Sequence, residues 1–327
     1  VVRNFASPST LFRTRQGRVR LGWRLGLFLG TSAVLVVALG VVLASRGLQG
    51  AAAATLIGSL VGGWWALRLD GRGPGSLGFH LAPSVPREVV RGLGLGLALA
   101  LVVVGCMTLL GGVRWSADGG SALAWMWGAA GAAAFLAVPA AAEEALLRGY
   151  PLQALAEAWG CGWALVVTSA VFGAMHLGNP GATALGTANT MAAGLFLGAL
   201  YLRTGSLWWA TGAHLGWNWG LGFAADLPVS GLVIGDAPLV DARAAGPAWL
   251  GGGAFGPEGS VVATVGFVVA AALVWWGPWL RREPAAVARA PLAWGTGGGM
   301  DTGSTQAALP ERPEPDTDTD TEKELVP

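Results

Sequence analysis

The segments AAAEEALLRGY (residues 140–150), AVFGAMHLG (170–178) and TGAHLGWNWG (211–220) decide how this chain is read. Each sets ionisable or amide side chains inside a run that is otherwise apolar. Glu143, Glu144 and Arg148 form E-E-x-x-x-R, Phe172 and His176 form F-x-x-x-H, and His214 and Asn218 form H-x-x-x-N. A spacing of four puts Glu144 with Arg148, Phe172 with His176, and His214 with Asn218 on one helix face each. Glu143 stands about 100° round the helix from Glu144 and is free to point elsewhere. An ionisable group inside a bilayer costs at least about 2.5 to 3.5 kcal/mol on insertion scales, so each needs a partner or a task.

The surrounding chain is 53% hydrophobic and 12% charged, with a mean hydropathy of +0.55. That is the composition of a polytopic membrane protein, not of a soluble domain. A net charge of +1 gives no field that would draw the chain to nucleic acid. Cys106 and Cys161 lack the paired spacing of a zinc or disulfide site and read as packing residues.

Uncharged runs extend over residues 25–45, 47–67, 92–113, 119–142, 158–202, 204–225 and 259–280. The fifth is long enough for two crossings, with Gly178-Asn179-Pro180-Gly181 as the turn between them. The fold expected is therefore all-α, a membrane bundle of about eight transmembrane helices. Six arginines and no acid occupy residues 1–24, which reads as a basic cytoplasmic arm held against anionic lipid. Residues 25–281 form the bundle. Residues 282–327, rich in Pro, Thr, Gly and acid, read as a disordered tail. Eight spans with both termini cytoplasmic leave Arg68 to Arg91, Glu143 to Glu157, Arg203 and Arg281-Arg282 inside, as the positive-inside rule asks. The scarcity of lysine beside arginine points to the inner membrane of a bacterium.

A carboxylate, two imidazoles and an amide are what hydrolysis of an amide bond requires. Glu143, with His176, has the chemistry to take a proton from water. His214 and Asn218, on one face, have the donors to hold the oxyanion on the scissile carbonyl. The same Glu and His side chains also suit a zinc ion, with Glu143, His176 and His214 as ligands, although no H-E-x-x-H signature is present.

The three motifs, in this order and in membrane spans, resemble the CAAX-prenyl endopeptidase and bacteriocin-processing (Abi, CPBP) family of intramembrane proteases. The resemblance covers residues 120–223. It implies a bundle of about eight membrane helices and a peptidase acting on a peptide or membrane-protein substrate near the cytoplasmic side. By it, Glu143 with His176 activates water, His214 with Asn218 stabilises the oxyanion, and Glu144, Arg148 and Phe172 are supporting residues. Both a metalloprotease mechanism and a metal-free glutamate mechanism are argued for the family. Two other classes fit the same residues: a non-catalytic membrane immunity or scaffold protein, and a proton-coupled transporter built on intramembrane Glu and His.

Upright helices leave one mismatch in depth. Glu143 falls at the cytoplasmic end of the fourth run, whereas at about 1.5 Å per residue His176 stands roughly 20 Å in from that side. A kink at Pro139, strong tilt, or a later start of the fifth span would each close the gap.

Overall fold

The computed structural model describes residues 11–14, 17–235 and 237–289. Every uncharged run becomes helix: α1 (Leu21–Val42), α2 (Gly47–Leu69), α3 (Val85–Leu109), α4 (Ala122–Glu144), α6 (Cys161–Met175), α7 (Ala184–Thr204), α8 (Leu207–Trp219) and α9 (Val261–Trp276). A further helix, α5 (Tyr150–Trp159), fills part of the charged stretch between α4 and α6. Five helical stretches are long and apolar enough to cross a membrane, namely Leu21–Val42, Ala44–Leu69, Val85–Leu109, Ala122–Trp159 and Ala184–Thr204, while α6 and α9 are shorter apolar helices. The protein is an all-α membrane bundle.

Local chemistry sets where these helices begin. The hydroxyls of Ser121, Thr183, Ser206 and Ser260 each accept a backbone N–H from the first turn of α4, α7, α8 and α9, which satisfies donors that lipid would leave bare. Pro139 lies inside α4 and cannot donate to the carbonyl of Phe135, four residues earlier. Gln49 of α2 supplies the missing donor, its Nε2 lying 2.7 Å from that carbonyl. The carbonyl that the proline leaves bare is thereby satisfied by the neighbouring helix.

The difference in depth between Glu143 and His176 disappears because the charged stretch is not a loop. After Glu144 the chain passes through a π-helical turn, Ala145–Gly149, into α5, and reverses at Gly160, whose φ of 84° favours glycine. Glu143 stands seventeen residues before Gly160 and His176 sixteen after it. A helical hairpin folded at that point brings the two level.

The helices alternate in direction, so the arginine-bearing segments gather at one end. There Arg24 bridges Asp70 (3.0 Å) and Glu157 (2.8 Å), Arg18 pairs with the same two acids, and the Tyr150 hydroxyl donates to Asp70 at 2.8 Å. Two arginines of the basic arm are thus held by the bundle itself. Glu283, assigned from sequence to the tail, is buried here and accepts from Trp209 Nε1 at 2.9 Å. A single turn, Pro284–Val287, follows it. Residues 290–327 and 1–10, the rest of the tail and arm, lie outside the described residues. His80 is buried at this end and meets Glu88 at 3.0 Å.

The opposite end carries the only strands among the described residues, β1 (Val113–Ala117) and β2 (Val240–Ala244), paired antiparallel with Val113 opposite Ala244. They tie the segment before α4 to the segment between α8 and α9. In the middle of the bundle α3 and α8 touch backbone to backbone. A Cβ on Gly96 would fall 1.9 Å from the Ala213 carbonyl oxygen, and one on Gly216 2.2 Å from that of Leu93. Small residues at this crossing permit the approach.

Candidate active site

The face of α8 pressed toward α4 carries His214, and the last turn of α4 carries Glu143 and Glu144. Their side chains meet. His214 Nδ1 lies 3.0 Å from Glu144 Oε1, and its Nε2 lies 3.8 Å from Glu143 Oε2. Arg148, within the π-helical turn, donates from Nη1 to the same Glu144 oxygen at 3.1 Å and from Nη2 to the Gly194 carbonyl at 3.3 Å. Its guanidinium stands 4.3 Å from the centre of the Phe172 ring, and that ring meets His176 and His214 edge-on at 4.9 and 5.9 Å. Phe172 is therefore a divider between the two imidazoles and a π-face for the arginine.

The two neighbouring carboxylates have different surroundings. Glu144 and Arg148 are fully buried, whereas the Glu143 side chain is 27% exposed. Glu144, already paired with Arg148, accepts from His214 Nδ1 and so fixes the orientation of that ring. Glu143 projects into a cavity of about 210 Å³ that is also lined by His176, His214 and Asn218. His176, at the C-cap of α6, places Nδ1 2.8 Å from the Phe172 carbonyl. A carbonyl only accepts, so Nδ1 carries the proton and Nε2 is the free lone pair of the neutral ring. All four proposed chemical residues thus reach one cavity, which Phe172 also lines, and Glu144 and Arg148 pack behind them.

Two of the three helices that supply the site, α4 and α8, break into a π-helical turn after their polar residues, Ala145–Gly149 after Glu144 and Gly220–Ala224 shortly after Asn218. Such turns are concentrated at functional sites. Glu258, outside the three motifs, also lines the cavity. It is buried, accepts from Trp217 Nε1 at 3.0 Å and from the Ser230 hydroxyl at 2.7 Å, and receives the Ser230 backbone N–H as well. Asn179 donates to the Ser230 carbonyl at 2.9 Å. The sequence offered one cue to Glu258: it is the last acid before the final apolar run.

The zinc alternative is tested by this donor set. Among the described residues, no three His, Cys, Asp or Glu side chains converge as metal ligands. The arrangement does not fit a three-ligand zinc site, and no chemical step is routed through one.

A buried Glu-Arg-His cluster thus stands beside a cavity within a helical membrane bundle. Residues 123–220 match the family described as type II CAAX prenyl endopeptidase Rce1-like. Residues 123–220 are thus similar to an Rce1-like domain, in agreement with the resemblance read from the three motifs, and the long apolar helices are those of an integral membrane protein. No curated protein and no solved structure matches the chain.

Proposed function

We propose that the Rce1-like domain is an intramembrane endopeptidase that cleaves a peptide or membrane-protein substrate with water activated by Glu143. Glu143, assisted by the free Nε2 of His176, takes the proton as the water oxygen attacks the scissile carbonyl. The oxyanion is held by His214 and by the amide of Asn218, one helical turn further along α8. With Nδ1 engaged by Glu144, His214 donates from Nε2 only as the imidazolium, and two carboxylates stand within 4 Å to balance that charge. Glu143 then passes its proton to the leaving nitrogen as the C–N bond breaks, releasing a carboxylate and an amine.

The observation that carries this reading is the contrast between adjacent carboxylates: Glu144 consumed by Arg148 and His214, Glu143 open to a cavity that His176 and Asn218 share. The test is cleavage of a peptide library by the purified protein in detergent, read by mass spectrometry, with Glu143→Gln and His176→Ala beside the wild type, each with and without chelator. Loss of an acid-base group is expected to lower the rate by about 10²- to 10⁴-fold, and chelator to leave the wild type unchanged. Cleavage by Glu143→Gln at the wild-type rate would remove the peptidase mechanism. A cellular phenotype that survived both substitutions would restore the scaffold reading.

A further inference from the structure

The cavity has a closed floor and an open rim, and the two lie at opposite ends of the bundle. Toward the arginine-rich end it is sealed. Beyond Glu144 come Arg148, Gln153 and Tyr201, all fully buried. Gln153 Nε2 donates to the carbonyls of Ser76 and Gly149, each at 2.9 Å, and the Tyr201 hydroxyl donates to Leu77 at 3.2 Å. These bonds cross-link the loop before α3 to α5 and α7, leaving a polar, buried plug beneath the site.

The exposed lining residues are elsewhere. Leu48 at the start of α2, Met175 at the end of α6 and Leu232 in the α8–α9 segment are 49%, 45% and 37% exposed. All three belong to the end that bears the strands. Charge separates the same two ends. Arg18, Arg24, Arg68, Arg72, Arg87, Arg91, Arg203, Arg281, Arg282 and Arg289 lie in segments of the plugged end, whereas Arg46, Arg114 and Arg243 lie at the open one. Segments rich in arginine stay on the cytoplasmic side.

Building on the peptidase reading above, we propose that the cavity opens on the membrane face away from the cytoplasm. Its substrate is then a polypeptide segment that reaches the bilayer from that face, as a translocated or secreted chain does. This differs from the cytoplasmic-side cleavage expected from sequence. Among the described residues no Arg or Lys lines the cavity, and its walls carry Glu143 and Glu258 among Leu, Phe and Ile side chains. The lining therefore accepts an internal apolar stretch and offers no arginine or lysine to a free C-terminal carboxylate.

The test is sidedness of labelling in a full-length chain whose Cys106 and Cys161 are replaced by Ala. One probe is Val233→Cys, next to the rim and 81% exposed. The reciprocal probe is Ala288→Cys, exposed at the arginine-rich end. A membrane-impermeant polyethylene-glycol maleimide is added to sealed cells and to permeabilised ones. Val233→Cys is expected to shift fully in sealed cells, with no gain on permeabilisation, and Ala288→Cys to shift only after it. The reverse pattern, or labelling of Val233→Cys only after permeabilisation, overturns the proposal. Labelling does not depend on turnover, so failure of the peptidase assay and failure of the orientation are read separately.

Discussion

Glu143 and Glu144 are chemically identical neighbours, and their difference is created by what lies about 100° apart around one helix turn. Glu144 faces the interior and closes a buried relay from Arg148 to His214, so removing its charge leaves a guanidinium without its counter-charge in a medium that cannot solvate it. Glu144→Gln is expected to destabilise the protein by about 3–5 kcal/mol, the usual consequence of breaking a buried pair. Glu143→Gln is expected to leave the melting temperature in detergent unchanged while abolishing turnover. Thermal unfolding of the two variants side by side checks this; a Glu144→Gln protein as stable as wild type but inactive would move the base to Glu144. The sequence displayed E-E-x-x-x-R but not which glutamate was free, because a spacing of four says who can pair, not which face the bundle covers.

At the scale of elements, the site depends on how closely α8 approaches α3 and on how far α4 continues. Gly96 stands where any side chain would strike the Ala213 carbonyl, the residue before His214. Gly96→Leu is expected to push α8 outward, at about 1–3 kcal/mol for overpacking, and to carry His214 away from Glu144 with loss of turnover. A Cβ added at Gly94, on the same helix, would meet nothing within 4 Å, and Gly94→Leu is expected to change neither stability nor rate. Equal damage from both substitutions would mean that general loss of glycine, not the α3–α8 contact, is responsible. The helices themselves were legible, since each uncharged run became one, and the longest, 158–202, became two. The stretch from Glu143 to Glu157 was legible as helix only as far as Arg148, because its four charges end the apolar run. It is helical since Arg148 is neutralised by Glu144, and Glu157 by Arg18 and Arg24.

Across the whole molecule two polar clasps hold opposite ends of an apolar bundle. The arginine-rich end is closed by Arg18, Arg24, Asp70, Tyr150 and Glu157. At the other end Glu258 fastens the rim segment through Ser230 and the α8 side chain Trp217. Glu258→Ala would leave the Trp217 indole and the Ser230 groups without an acceptor, at about 1–3 kcal/mol. The rim segment around Val233 is then expected to be cut by added protease roughly tenfold faster, since about 1.4 kcal/mol is a factor of ten and cleavage follows the open population. Unchanged cutting would show that the rim is held by its apolar contacts alone.

The sequence by itself determined the class of the molecule and the identity of its chemical groups. Composition alone places the chain in a membrane, and side chains that are costly in lipid stand out against an apolar background whichever way the helices pack. Tertiary structure alone decided which carboxylate is open, that His176 comes level with Glu143, that Glu258 joins the cavity, and toward which end the cavity opens. Those features rest on contacts between residues distant along the chain, such as the 144–214 and 230–258 pairs, and on the reversal at Gly160. No spacing or periodicity encodes them, because burial and pairing are properties of the assembled bundle, not of any one helix.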